Sequence, residues 1–213
     1  MITSEALEQI TDMGKAIIDT LLSTYTMPKR PTQLQLQAAL TRVKIVHEHF
    51  TENGDSSSPS DDWIEMLQKR GNSYGWIDYL TVPSADELSD AHKQYLTSLI
   101  KWLVFPAVQT IKDDIVYVER PYILGSGEFM WNATNYDSNG GKGTTYGVMD
   151  VISSSFPSGT AAAIEFIALY LNNYAKSTGM VSASEEKANL NKGRKLAHDL
   201  RVGGAVHYVE DII

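Results

Sequence analysis

The chain contains no cysteine, and this absence excludes disulfide bonds, thiolate metal sites and a cysteine nucleophile. It also lacks a long apolar run: the most hydrophobic window, residues 100–108, includes Lys101 and Pro106 and is too short to span a bilayer. There is no block of lysine and arginine, and the formal net charge is −8, which disfavours binding to a phosphate backbone. We therefore expect no membrane span and no nucleic-acid partner.

A signal peptide is also not evident. Glu5, Glu8 and Asp12 occupy the region where a signal peptide has a basic start and an unbroken apolar core. Together with the missing cysteine, this pattern favours a soluble protein and a cytoplasmic location. The 213 residues are 43% hydrophobic and 21% charged, a composition typical of a globular protein with a sizeable core.

Apolar residues recur at helical spacing through most of the chain. The first such set shares one helical face and consists of Ala6, Ile10, Met13, Ile17 and Leu21. Similar patterns cover 36–50, 63–67, 88–102, 158–176 and 182–200. A serine followed by glutamate three residues later marks two helix starts, at Ser84–Glu87 and at Ser182–Glu185.

Two stretches interrupt this pattern. Residues 51–62 contain only polar residues, glycine and proline, and we expect an exposed loop there. Residues 115–155 are rich in glycine and have no helical periodicity, which is typical of a functional or mobile connection. No pair of strands is evident. The sequence predicts an all-α, single-domain helical bundle over 1–213, with N-terminal helices at 1–110 and a motif-bearing part at 112–211.

Three polar clusters follow one another in the second half of the chain. They are Lys112 with Arg120, then Ser158-Gly159-Thr160 after Pro157, then Arg201 with His207 and Asp211. Each has an ordinary explanation when taken alone. The first can be surface charge, the second a helix start with proline in the first turn, and the third a pair one helical turn apart.

Taken together, the clusters predict an oxyanion pocket. Two guanidinium groups and an ammonium, from Arg120, Arg201 and Lys112, can surround a tetrahedral oxyanion. A helix that starts at Ser158 would add backbone N–H groups, and Gly159 would allow close approach. His207 would face the central atom through one ring nitrogen. Asp211 would accept a hydrogen bond from the other nitrogen and thereby fix the tautomer.

The order and spacing of these motifs resemble the superfamily of type 2 phosphatidic acid phosphatases, class A acid phosphatases and vanadium haloperoxidases. Its pattern is a Lys and an Arg-Pro, then Pro-Ser-Gly-His, then Ser-Arg, five residues, His, three residues and Asp. The seven residues between Lys112 and Arg120 are similar to the vanadium bromoperoxidases, as are Leu190-Asn191-Lys192, Leu196-Ala197 and Val206-His207-Tyr208. The resemblance covers residues 112–211.

The resemblance implies a helical bundle and leaves three functions open. In a haloperoxidase, vanadate would bind His207 as the cofactor, and peroxide would oxidise halide there. In a phosphatase, which needs no cofactor, His207 would attack the phosphorus of a phosphate ester and form a phosphohistidine. A catalytically degenerate structural or anion-binding protein is the third reading. The expected partner is a small oxyanion or phosphate ester, and homo-oligomerisation stays open.

This sequence departs from the family pattern at two motif positions. Leu200 replaces the serine that precedes the arginine, and Thr160 replaces the family's acid–base histidine. Threonine donates a hydrogen bond but does not exchange a proton near neutral pH. The change is therefore more damaging to a phosphatase, whose leaving group needs a proton. Asp211 also lies two residues before the last residue given, Ile213, where we expect fraying unless other groups hold it.

The remaining histidines fit no catalytic pattern. His47 and His49 flank Glu48, but positions two apart do not share a helical face, and the HExxH zinc pattern is not present. We expect these two residues and His92 at the surface or at the boundary of the core.

Overall fold

The computed structural model describes residues 4–24, 30–52, 55–82, 88–114, 117–125, 127–136, 154–177 and 181–212. Within these ranges the chain is predominantly helical, which confirms the all-α prediction. The α-helices are α1 Ser4–Thr24, α2 Gln33–His49, α3 Asp61–Arg70, α4 Ser73–Leu80, α5 Asp90–Leu99, α6 Phe105–Asp114, α7 Pro121–Leu124, α8 Gly159–Ser177 and α9 Ala183–Arg201. No helix in these ranges is both long and apolar enough to cross a membrane.

Helices α8 and α9 pack closely against each other. A Cβ at Gly193 of α9 would lie 3.1 Å from Cγ2 of Ile164 on α8, so glycine permits a short distance between the two backbones. Further along, Nδ2 of buried Asn189 donates to Oδ1 of Asn172 at 2.9 Å. These two contacts define an antiparallel pair. The start of α8 and the end of α9 therefore lie at the same end of the pair, which brings the second and third motifs together.

Side-chain caps mark the helix starts. The N–H of Glu185 donates to Oγ of Ser182 at 3.3 Å, and the Glu185 carboxylate accepts from the N–H of Ser182 at 2.8 Å. This capping box confirms the predicted start of α9. The predicted Ser84–Glu87 cap lies outside the described residues, and Ser89 caps α5. From α5 the chain continues through the π-helical turn Ile100–Val104 into α6.

The expectation of an exposed loop over 51–62 is wrong in part. Strand β1, Thr51–Glu52, pairs antiparallel with strand β2, Asp55–Pro59, and residues 61–62 already belong to α3. A polar stretch can form a hairpin because backbone hydrogen bonds, and not apolar side chains, join its strands. The signal that was overlooked is Asn53-Gly54, a dipeptide favoured in two-residue hairpin turns.

Buried apolar side chains form three clusters, and two of them hold the loop after α9. One cluster joins α4, α5, α8 and α9. A second joins α2 to Val202, Ala205 and Tyr208 of the loop, and a third is aromatic and includes Val206. Since loop residues alternate between the second and third clusters, the backbone around residue 207 is fixed from both sides.

His47 is buried, with 4% of its surface exposed, so the prediction that it lies at the surface or at the boundary of the core is wrong. Its ring centroid lies 4.4 Å from that of Trp131, and its Nδ1 lies 2.8 Å from the carbonyl oxygen of Gly203. Burial lowers the pKa of His47, although the Gly203 hydrogen bond opposes this effect. His47 is therefore an anchor between α2 and the loop after α9.

Candidate functional site

The loop after α9 places His207 in the interior, and its backbone includes one residue with a positive φ. Gly204 lies so close to its neighbours that a Cβ there would be 2.5 Å from Cβ of Ala133. Ala205 adopts a positive φ of 56°, a conformation that costs about 1 kcal/mol for a residue with a side chain. The following residues turn inward, and only 2% of the surface of His207 is exposed.

The contacts of the His207 ring determine its tautomer. Nε2 lies 3.2 Å from Nη1 of Arg120, and a guanidinium group donates hydrogen bonds but accepts none. Nε2 must therefore be the acceptor and carry no proton. The proton of the neutral ring is then on Nδ1, which lies 3.3 Å from Oδ2 of Asp211. The lone pair of Nε2 consequently points toward the cationic side of the site.

Three cations surround this ring. Burial lowers the pKa of His207 well below its usual value, and the charges of Arg201, Arg120 and Lys112 lower it further. A hydrogen bond from the ring to the Ser155 backbone opposes these effects. The three predicted cations thus converge on one imidazole, which is neutral at neutral pH and able to act as a ligand or nucleophile.

Two of these cations are held by backbone carbonyl groups. Nη1 of buried Arg120 donates to the carbonyl oxygen of Val206 at 3.2 Å. Nζ of Lys112 donates to the carbonyl oxygen of Ser154 at 2.5 Å. The first bond links the first motif to the third, and the second links Lys112 to a residue just before the second motif, so both cations are positioned by the protein itself.

Asp211 is held by several groups, and the expected fraying at this position is not observed. Its Oδ2 accepts hydrogen bonds from Oγ of Ser155 and from the N–H of Tyr208, the latter at 2.9 Å. Its backbone carbonyl accepts from the N–H of Ser158 at 3.2 Å. Burial raises the pKa of Asp211 to about 6, although these hydrogen bonds and the charges of Lys112 and Arg120 act in the opposite direction.

The start of α8 differs from the expectation in one respect. The N–H of Ser158 already donates to Asp211, so this group is not directed at an anion. Oγ of Ser158 accepts from the N–H of Ala161 at 3.3 Å, which leaves the hydroxyl proton as a donor. The N–H groups of Gly159 and Thr160 lie in the first turn and have no acceptor within the helix. These groups can still contact an oxyanion.

The structure places the half-buried Thr160 in the first turn of α8, and no hydrogen bond joins its hydroxyl to another described residue. A Cβ at Gly159 would meet only ordinary contacts, the nearest being Cδ1 of Phe105 at 3.7 Å. Packing among the described residues therefore does not require glycine at 159. His198, which precedes Arg201 on α9, has its Nδ1 3.3 Å from Oδ1 of Asp199.

Sequence reasoning missed Ser154 and Ser155, which are both buried beside the site. They belong to a run of three serines just before the second motif, and nothing in that run indicates a role. They contact Lys112, His207 and Asp211, which are distant in sequence.

A cavity of about 630 Å³ lies on the Asp211 side of the site. Its walls come from the first half of α2, from Val118 and Phe156, and from Tyr208, Glu210 and Asp211. None of the five predicted oxyanion ligands lines it, so it is separate from the cationic side of His207.

The arrangement places a neutral imidazole among three cations, and such a group of side chains can attract an anion. In the described parts of the chain, no three His, Asp or Glu side chains gather in the way that a metal-cation site requires. Comparison of the chain with protein-family models, curated proteins and solved structures finds no match, so its function must be inferred from this geometry.

Proposed function

We propose that the protein binds a tetrahedral oxyanion at Nε2 of His207 and acts as a vanadium haloperoxidase-like enzyme. The observation that carries this proposal is the neutral, buried ring of His207, with its unprotonated Nε2 facing Arg120 and with Arg201 and Lys112 acting on it. An imidazole kept neutral among three cations is suited to an anionic ligand with an electrophilic centre.

The charge of the site fits vanadate. Lys112, Arg120 and Arg201 together with an ionised Asp211 leave an excess of two positive charges, which an oxyanion would neutralise. His207 and these three cations would hold the group, with the Ser158 hydroxyl and the first-turn N–H groups of α8 as further donors. Bound vanadate supplies the activation of hydrogen peroxide toward halide.

The protein's own residues have distinct tasks in this proposal. Asp211 holds the Nδ1 proton of His207, so that Nε2 keeps its lone pair. Lys112, Arg120 and Arg201 bind and orient the anion. Thr160 donates a hydrogen bond but transfers no proton near neutral pH. This last limitation is why we favour the peroxidase over a phosphatase: an alkoxide leaving group requires a proton donor, whereas a bound oxyanion requires only hydrogen bonds.

The test begins with calorimetric titration of dilute orthovanadate into the unmodified protein and into the His207→Gln variant. We expect saturable binding that the substitution abolishes. His92→Gln is the matched control, because His92 is bonded to the hydroxyl of Tyr170 and lies outside the site. The His92→Gln variant should bind orthovanadate with the same affinity as the unmodified protein.

Activity then separates the alternatives. Oxidation of bromide or chloride by hydrogen peroxide that depends on vanadate supports the proposal. Hydrolysis of p-nitrophenyl phosphate without such oxidation supports the phosphatase. Anion binding without either activity across the pH range indicates a degenerate anion-binding protein, and the absence of saturable binding overturns the oxyanion site itself.

A further inference from the structure

Ser155 connects the first polar motif to the third and lies just before the second, although it belongs to none of them. Its N–H donates to the carbonyl oxygen of Val118 at 2.9 Å, which ties it to the segment that holds Arg120. Its hydroxyl donates to Oδ2 of Asp211, and its backbone bonds to the ring of His207. Ser155 is completely buried, with 0% of its surface exposed. Every polar group of this residue is therefore engaged inside the site.

The hydroxyl of Ser155 controls which part of Asp211 faces the imidazole. Oδ2 of Asp211 accepts from Ser155 and from the N–H of Tyr208, and the same oxygen lies 3.3 Å from Nδ1 of His207. An ionised carboxylate has only acceptor sites, so the serine must donate to it. Two fixed donors on one oxygen leave little freedom for the carboxylate to rotate away from the ring.

We infer that Ser155 is a positioning residue, whose hydroxyl holds Asp211 against Nδ1 of His207 and thereby fixes the ring with its unprotonated Nε2 toward the oxyanion. The importance of the unprotonated Nε2 rests on the proposed function. The orientation of the pair does not, because it follows from the hydrogen bonds of the protein alone. Outer groups of this kind fix the tautomer and basicity of histidine ligands.

The chain offers a matched control in the adjacent Ser154. Its side chain is also buried, with 4% of the residue's surface exposed, and its Oγ accepts from the N–H of Val118 at 3.2 Å. Its hydroxyl is thus a hydrogen-bonding partner of the backbone and not of Asp211. Ser154→Ala and Ser155→Ala remove the same atoms from neighbouring buried positions, and only the second removes the bond to Asp211.

The decisive measurement is the hydrogen bonding of each ring nitrogen of His207, recorded by two-bond proton–nitrogen NMR in protein labelled at histidine. The missing signals of His207→Gln assign the resonances. We expect a single Nδ1–H tautomer in the unmodified protein and in both serine variants, because Arg120 still faces Nε2. In Ser155→Ala the Nδ1–H proton signal should move upfield, because the hydrogen bond of Nδ1 to Asp211 weakens, whereas Ser154→Ala should leave this signal in place. An Nδ1–H signal at the same position in Ser155→Ala and in the unmodified protein would overturn the inference.

A pH titration of the same signals gives a second readout, which a purely structural role would not change. Burial raises the pKa of Asp211 to about 6. The hydrogen bond from Ser155 opposes this effect and lowers the pKa, as do the charges of Lys112 and Arg120. Removing the hydroxyl should therefore move the Asp211 transition upward by about 1–2 pH units, the range for a hydrogen bond to a charged group. An unchanged midpoint would contradict the inference.

Affinity for orthovanadate distinguishes this inference from the proposed function. We expect Ser155→Ala to bind about 10- to 100-fold more weakly than Ser154→Ala. If neither protein binds vanadate but the Nδ1–H signal of His207 shifts in Ser155→Ala, the proposed function fails and the positioning role stands. If Ser155→Ala does not fold, Ser155→Cys replaces it. Because a thiol is a weaker donor than a hydroxyl, the titration midpoint of Asp211 in this variant should lie above that of the unmodified protein. An equal midpoint would contradict the positioning role of Ser155.

Discussion

Asp211 and His207 are perturbed in opposite senses, although their side chains face each other. Burial raises the pKa of the carboxyl group, and burial together with three cations lowers the pKa of the imidazole. Each shift favours the uncharged form of its group, since a charge at a nearly dry position is costly. Because both pKa values differ from those of the unfolded chain, the free energy of unfolding should depend on pH through this pair.

We predict that the destabilisation caused by Asp211→Asn becomes smaller as pH rises. The pKa of Asp211 is about 6 in the folded state and near 3.8 when unfolded. The folded state therefore binds the proton more tightly between these values, so the contribution of Asp211 to the free energy of unfolding is complete below pH 4 and is lost as pH rises through 6. The loss approaches about 3 kcal/mol. Urea unfolding at several pH values between 4 and 7.5 measures it.

Asp199→Asn is a control of opposite sign. The pKa of Asp199 is lowered despite burial, because His198 and Lys195 stabilise its charged form. Its contribution to stability is present above the unfolded pKa and disappears as pH falls, so this variant should approach the unmodified protein at low pH. Parallel trends in the two variants would contradict our account of Asp211.

A second residue-scale prediction concerns Arg201. Its charge lowers the pKa of His207 more than the charges of Arg120 and Lys112 do. Arg201→Gln should therefore weaken vanadate binding by about 1.5–3 kcal/mol, or about 10- to 150-fold. Arg194→Gln is the matched control on the same helix, because Arg194 pairs with Glu165 at 2.6 Å on the surface. Equal affinities of the two variants, by calorimetry, would show that Arg201 does not contact the anion.

At the scale of elements, the loop after α9 and the start of α8 both contain glycine for different reasons. Gly204 has no space for a side chain, because a Cβ there would lie 2.5 Å from Ala133 and 2.7 Å from the carbonyl oxygen of Leu200. At Gly159, by contrast, the nearest contact would be 3.7 Å. The first glycine serves packing among protein groups. The second is free to serve a ligand.

Alanine substitutions should separate these two roles. Gly204→Ala forces the backbone of the loop to move, and we expect a loss of about 1–3 kcal/mol in the free energy of unfolding. Gly159→Ala should change that free energy by less than about 0.5 kcal/mol. It should nevertheless weaken vanadate binding about tenfold, if the anion approaches the backbone there. Urea unfolding and calorimetry on both variants check the two expectations, and a destabilised Gly159→Ala protein with normal affinity would reverse the assignment.

At the scale of the whole molecule, binding at the site should stabilise the fold. The site is assembled from α6, the segment before α7, the start of α8 and the loop after α9, so a ligand that needs all of them binds only the folded state. Vanadate at one hundred times its dissociation constant should raise the free energy of unfolding by about 2.7 kcal/mol. The same concentration should leave His207→Gln unchanged, and an equal rise in both proteins would indicate binding elsewhere.

Most of the longer helices were accessible from the sequence because they depend on neighbours along the chain, whereas α4, α6 and α7 were not predicted. Apolar spacing predicted α8 and α9, and the Ser182–Glu185 pair predicted the start of α9 to the residue. The β1–β2 hairpin was missed because its strands carry polar side chains, and the signal in Asn53-Gly54 is only two residues long. The cap assigned to Ser84 has a close rival in Ser89, which caps α5, and local patterns do not choose between such rivals.

The order and chemistry of the three motifs were likewise contained in the sequence, since they are properties of residue type and spacing. That His207 lies within reach of Arg120, 87 positions earlier, and that Ser155 holds Asp211 across 56 positions were decided only by the tertiary structure. Such contacts depend on the antiparallel packing of α8 and α9 and on the path of the loop after α9. A hydrogen bond forms between groups that are close in space, and sequence patterns specify closeness only within a few residues.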